Sequence, residues 1–142
     1  MAGEQILVVE DNLLSMKLFR DVLVASGYRA LEATTGAEAI DLATAKGPDL
    51  VLMDIELPDL DGVNALRRLR TNERTAEIPV LAVTAQAMRG DRERFLAAGF
   101  DGYISKPVNV GELLAVVRRT CDGYGDGNGS SKTRQTGGGE GT

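Results

Sequence analysis

Apolar residues gather in short runs along the chain: Ile6-Leu7-Val8-Val9, Tyr28 to Ala33, Leu50-Val51-Leu52-Met53, Val80-Leu81-Ala82-Val83 and Gly102-Tyr103-Ile104. Most are continuous rather than alternating, which is the pattern of strands covered on both faces. The intervening segments have helical spacing instead. Leu14, Leu18, Val22 and Ala25 fall on one arc, and Val110, Leu113, Leu114 and Val117 recur at intervals of three, four and seven. Helix starts are signalled by Thr35 with Glu38 (a capping box), by Asp61, and by Asn109 with Glu112. Gly27, Gly47 and Gly99 stand where helices should stop.

Strand and helix thus alternate five times, which implies right-handed crossovers and an open parallel sheet with helices on both faces. The expected fold is a doubly wound five-stranded α/β domain. A length of 142 residues fits one such domain, placed over residues 1–121. From Asp122 to Thr142 the composition shifts to Gly, Ser, Thr and charged residues. Tyr124 is its one sizeable apolar side chain, so this stretch is expected to be a disordered tail.

Charge and composition remove several functions. Sixteen basic against 21 acidic residues give a net charge of -5, which disfavours nucleic-acid binding. No apolar run approaches a membrane span and the N-terminus lacks a secretory pattern, so a cytoplasmic protein without membrane insertion is expected. The chain has no histidine, which excludes Ser-His-Asp and Cys-His nucleophiles, His-containing metal sites and a phosphohistidine of its own. Cys121, the single cysteine, is read as a packing residue.

In an open α/β sheet ligands bind beyond the carboxyl ends of the strands, where strand order reverses. There the sequence puts Glu10-Asp11 after the first strand, Asp54 at the end of the third, Thr84 at the end of the fourth and Lys106-Pro107 after the fifth. Taken singly, each has a plainer explanation: Asp11 as a helix cap, Asp54 with Leu57-Pro58-Asp59 as turn composition, Thr84 as an ordinary strand end, Lys106 as a solvated loop charge and Tyr103 as a strand aromatic. Their coincidence at successive strand ends is far less ordinary. Three carboxylates in one crevice repel unless a cation sits among them, and an all-oxygen site of few protein ligands suits Mg²⁺, with Mn²⁺ the alternative.

The segments Val8-Val9-Glu10-Asp11-Asn12, Leu52-Met53-Asp54 through Asp61-Gly62, Val83-Thr84-Ala85 and Tyr103-Ile104-Ser105-Lys106-Pro107 together resemble the motif set of two-component response-regulator receiver domains, over roughly Gln5 to Thr120. The resemblance implies the flavodoxin-like strand order 2-1-3-4-5, as in the chemotaxis member of this family. Residue by residue, it makes Asp54 the phosphoacceptor, Glu10 and Asp11 the acidic pair that holds Mg²⁺, and the backbone carbonyl of Glu56 a further metal ligand. Thr84 and Lys106 would meet the phosphoryl oxygens, the Lys106-Pro107 bond would be cis, and Tyr103 would change rotamer on activation. Two aspartates are common at the acidic pair. The longer Glu10 leaves open whether its metal contact is direct or through water.

The implied function is a stand-alone phosphorylation switch. It receives its phosphoryl group from a histidine kinase or histidine phosphotransfer protein, promotes its own phosphorylation and dephosphorylation without being a turnover enzyme, and signals to a downstream protein. The first helix is read as having an apolar arc wider than one core face needs, so Met16, Phe19 and Leu23 are assigned to docking the phosphodonor. Met88, Arg89, Asp91, Arg92 and Arg94 are assigned to the output face. Competing readings are a phosphorylation-independent scaffold, a haloacid-dehalogenase-type aspartyl-phosphate hydrolase, and a flavodoxin-like cofactor binder. The hydrolase is disfavoured by Glu56 standing where its second aspartate belongs. The cofactor binder is disfavoured by Glu10 and Asp11 where a phosphate would need donors.

Overall fold

The computed structural model describes residues 3–85 and 91–122. Five strands and five helices alternate in chain order: β1 (Gln5–Val9), α1 (Leu13–Ala25), β2 (Arg29–Ala33), α2 (Gly36–Lys46), β3 (Leu50–Asp54), α3 (Gly62–Arg70), β4 (Val80–Thr84), α4 (Asp91–Ala98), β5 (Gly102–Ser105) and α5 (Val110–Cys121). All strand pairings are parallel, in the order β2-β1-β3-β4-β5. The central strands β3 and β4 are buried throughout, as their continuous apolar runs require, while the edge strands β2 and β5 are only partly covered.

Alternate residues of the strands feed two cores, one on each side of the sheet, with the edge strand β2 reaching one of them only. Ile6, Val8, Leu50, Leu52, Leu81, Val83 and Ile104 pack beneath α1 and α5. Leu7, Val9, Val51, Met53, Val80 and Ala82 pack beneath α2, α3 and α4. The predicted helix signals operate as caps. Asn109 Oδ1 accepts from the Glu112 N–H, Asp61 Oδ1 from the Asn64 N–H and Thr35 Oγ1 from the Glu38 N–H. The box at α2 closes one residue early, since Glu38 Oε1 accepts from the N–H of Thr34. Gly27, Gly47 and Gly99 all adopt positive φ, where a side chain would be strained.

The assignment on α1 is reversed. Met16, Phe19 and Leu23 are 4%, 1% and 0% exposed and belong to the core, whereas Leu14 is 80% and Leu18 40% exposed and Ala25 also faces outward. Docking by Met16, Phe19 and Leu23 is therefore excluded by burial. Both triplets recur at helical spacing, and the pattern does not say which faces the sheet. The entry of the helix decides it: Asn12, whose Oδ1 accepts from the Ser15 N–H, caps α1 immediately after β1 and turns Met16, Phe19 and Leu23 onto Ile6 and Val8.

Of the predicted output face, Met88 and Arg89 lie outside the described residues, as do the side chains of Asp91 and Arg92. Arg94 lies over the Phe95 ring at 4.7 Å. The expected tail, beyond Asp122, also lies outside them. No helix among the described residues is long and apolar enough to cross a membrane.

Candidate functional site

The chain leaves β1 toward β2 on one side and returns with β3 on the other, so the crevice between the carboxyl ends of β1 and β3 is the switch point of the sheet. The register aligns Val9 with Met53, which places Glu10 beside Asp54, and aligns Asp54 with Val83, which places Thr84 one residue beyond. The Lys106 N–H donates to the Thr84 carbonyl at 2.8 Å and brings the β5 end alongside, where the Lys106-Pro107 bond is cis.

Glu10, Asp11 and Asp54 each present a carboxylate oxygen within 4.8 Å of the others. Glu10 and Asp54 are buried, at 1% and 6% exposure, while Asp11 is open to solvent. Asn12 caps α1, so Asp11 is not used as the cap and its carboxylate is left to the cluster. Among the described residues, one cation serves the group. Lys106 Nζ donates to Glu10 Oε1 at 2.9 Å and to Asp54 Oδ2 at 3.5 Å. Glu10 Oε2 accepts from the Asn12 N–H, and Asp54 Oδ1 from the Glu56 N–H at 2.9 Å, so both buried carboxylates are aimed by backbone.

Burial and neighbouring charge both act on the cluster. Burial pushes the Glu10 carboxyl above its ordinary range, and neighbouring Asp54 adds to the rise, against the pull of Lys106 and the Asn12 N–H. Burial works against the Lys106 ammonium, yet the hydrogen bond to Glu10 and the charges of Asp54 and Glu10 outweigh it and hold its pKa above normal. The rise at Glu10 thus comes chiefly from burial and that at Lys106 from its acidic neighbours, and by count the described residues set one ammonium against three carboxylates. Such a donor set, all oxygen and partly open to water, fits a hard divalent cation.

Thr84 is buried at the end of β4. Tyr103 is half-buried, with its ring tilted against Phe95 at 6.0 Å between centroids. The structure also brings in a residue that the sequence reading passed over as turn composition. Asp59 sends its carboxylate to the N-terminus of α2, accepting from the N–H of Gly36 at 2.8 Å and of Ala37 at 2.9 Å. No local pattern announces a contact between residues 22 and 23 positions apart.

Known proteins share this arrangement. Residues 6–118 match the model of the response regulator receiver domain. The polar-differentiation response regulator DivK of Brucella ovis is 46% identical over 115 residues, covering 81% of this chain and 94% of the relative. Among solved structures, the receiver domain of a Pseudomonas aeruginosa sensor histidine kinase, which has a magnesium ion coordinated in its active-site cleft, superposes with a TM-score of 0.79 at 38% identity, over 85% of this chain and 99% of its own. A CheY-like receiver domain protein from Methanospirillum hungatei gives a TM-score of 0.77 at 29% identity, over 85% and 95% of the two chains. With its strand order, its acidic cluster at the switch point and a family match over most of its length, this chain belongs to the response regulator receiver domains of two-component signalling.

Proposed function

We propose that Asp54 is the phosphoacceptor of this receiver and that Glu10, Asp11, Asp54 and the backbone carbonyl of Glu56 hold the Mg²⁺ it needs, Mn²⁺ being able to replace it. The observation that carries the reading is the cluster itself: three carboxylates converge at the switch point with one lysine among them. When bound, the cation would neutralise oxygens of the incoming phosphoryl group. The protein's own part is alignment. The Glu56 N–H occupies Asp54 Oδ1 and leaves Oδ2, on the Lys106 side, as the nucleophile. A new bond forms from that oxygen to phosphorus as the bond from phosphorus to the donor's imidazole nitrogen breaks, and the imidazole leaves with the electron pair.

The product replaces the carboxylate's single charge by a phosphoryl group of about -1.5 to -2 and sets strong acceptor oxygens beside Thr84 and Lys106. Lys106 then exchanges its bond to Glu10 for one to the phosphoryl group, and the Thr84 hydroxyl donates to a second oxygen. Movement of the β4 end frees space near Tyr103, whose ring lies between β5 and α4, and so passes the change to a downstream protein. The donor is a histidine kinase or phosphotransfer protein of the cytoplasm. It docks on α1 through the exposed Leu13, Leu14 and Leu18, which replace Met16, Phe19 and Leu23 in that role. No substrate is turned over.

The test is intact-protein mass after incubation with acetyl phosphate, in Mg²⁺ and in chelator, for wild type and Asp54→Asn. One phosphoryl group gained in Mg²⁺ by wild type alone is the expected result. No gain in any condition would leave a phosphorylation-independent scaffold.

A further inference from the structure

The segment between β3 and α3 carries Glu56 and therefore one of the four ligands of the proposed cation site, directly after Asp54 at the end of β3. Its ends are held locally: the Glu56 N–H donates to Asp54 Oδ1, and the Gly62 N–H donates to the Ile55 carbonyl at 2.8 Å. Gly62 fits there because a Cβ would lie 2.8 Å from the Asp54 carbonyl oxygen. The middle of the segment is tied to another element. Helix α2 begins with N–H groups that have no partner within the helix. Thr35 takes the one at Glu38, and Asp59 takes those of Gly36 and Ala37, one with each carboxylate oxygen. Leu60 follows and lies over Gly36 so closely that a Cβ on Gly36 would stand 2.8 Å from Leu60 Cγ.

We propose that Asp59 is a positioning residue: by fastening this loop to the N-terminus of α2, it presets the Glu56 carbonyl and the Asp54 carboxylate for the divalent cation. The inference rests on the reading of Glu56 and Asp54 given above. Its physical basis is entropy. A loop that arrives ordered gives its oxygens to the cation without an ordering cost at binding, whereas one released from α2 must be ordered by the cation. The bond is charge-assisted at both oxygens and is aimed at the positive end of the helix, which favours a carboxylate over an amide.

The experiment compares wild type, Asp59→Ala, Asp59→Asn and Thr35→Ala in the Mg²⁺ dependence of acetyl phosphate labelling, with Mg²⁺ affinity measured separately by calorimetric titration. Outer-shell supports of metal ligands typically change affinity by 10- to 100-fold. Asp59 acts through backbone and is exposed, so the lower end applies. Asp59→Ala should need about tenfold more Mg²⁺ for half-maximal labelling while keeping the wild-type rate at saturation. Asp59→Asn, with one acceptor oxygen, should fall between. Thr35→Ala loses a cap of the same helix without touching the loop, and should bind Mg²⁺ like wild type even if less stable. Equal shifts in Asp59→Ala and Thr35→Ala, or no shift in either, would overturn the proposal and leave Asp59 as a cap for α2. A wild type that neither binds Mg²⁺ nor is labelled would overturn the functional reading itself, and this inference with it.

Discussion

Replacing Asp54 by asparagine should stabilise the protein in the absence of metal, even though it removes an ion-pair partner. The oxygens of Glu10, Asp11 and Asp54 lie within 4.8 Å of one another. At an effective dielectric near 20, each pair of charges at that spacing repels by about 3.5 kcal/mol. Asp54 takes part in two such pairs. Against this stands its attraction to Lys106 at 3.5 Å, about 4.7 kcal/mol on the same scale. The pair with exposed Asp11 is screened by water and must be discounted heavily, which brings repulsion and attraction close to balance. Hydrogen bonding then tips it. Asparagine keeps an oxygen for the Glu56 N–H and adds an N–H₂ that Glu10 can accept, while Lys106 keeps its 2.9 Å bond to Glu10.

The expected gain is about 1–2 kcal/mol, or roughly 3–10 °C in melting temperature for a domain of this size. Differential scanning calorimetry in chelator and in Mg²⁺ measures it. Wild type should gain stability from Mg²⁺ and Asp54→Asn should gain less, so that the two curves approach each other. An asparagine variant that melts at or below wild type in chelator would refute the reasoning: the carboxylates would not be in net conflict, and Lys106 alone would suffice to hold them.

Further outcomes follow from the same geometry. Phe19→Ala should cost about 3–5 kcal/mol in urea unfolding, as loss of a buried aromatic does. Leu14→Ala should change stability by less than about 0.5 kcal/mol while slowing transfer from a phosphohistidine donor but not from acetyl phosphate; the opposite ranking would put the helix face back where the spacing alone had it. Arg70 bonds the carbonyls of Ala76, Ile78 and Gly99 and the carboxylate of Asp101, so Arg70→Met should cost about 2–3 kcal/mol with an unchanged denaturant slope. Burial pushes the Cys121 thiol up to about 12, so iodoacetamide at pH 8 should label native protein far more slowly than protein in urea, and equal rates would contradict it. The N–H groups of Gly36 and Ala37 hold the Asp59 carboxyl below its ordinary 3.8. A lowered folded pKa stabilises above the unfolded value, so this contribution is intact above about pH 4, fades as pH falls through the folded value, and should be missing from the acid limb of Asp59→Asn.

The fold and the site chemistry were legible for one reason. A strand buried on both faces must be an uninterrupted apolar run, and the first polar residue after it marks the sheet's edge. Glu10, Asp54 and Thr84 could thus be placed at one edge from the sequence alone, with Lys106 following one residue after Ser105 on the partly covered β5, and parallel order brings those edges together. Helices carry no such marker. On α1 the triplet Met16, Phe19 and Leu23 and the triplet Leu14, Leu18 and Ala25 both make a helical stripe, and the direction of chain entry from β1, fixed at Asn12, selects between them, with Val22 packing at the border of the core.

Asp59 marks a different limit. Asp61, two residues on, caps its own helix through a contact three residues long, and its role was readable from spacing. Asp59 does the same chemistry for a helix that precedes it by more than twenty residues, and at its position the local sequence is satisfied by a turn. Polar groups that serve distant backbone are indistinguishable, in one sequence, from polar groups that serve water. The residues proposed to do chemistry at this site are therefore readable from the chain, whereas the one proposed to hold them in position becomes visible only when α2 and the loop after β3 are seen side by side.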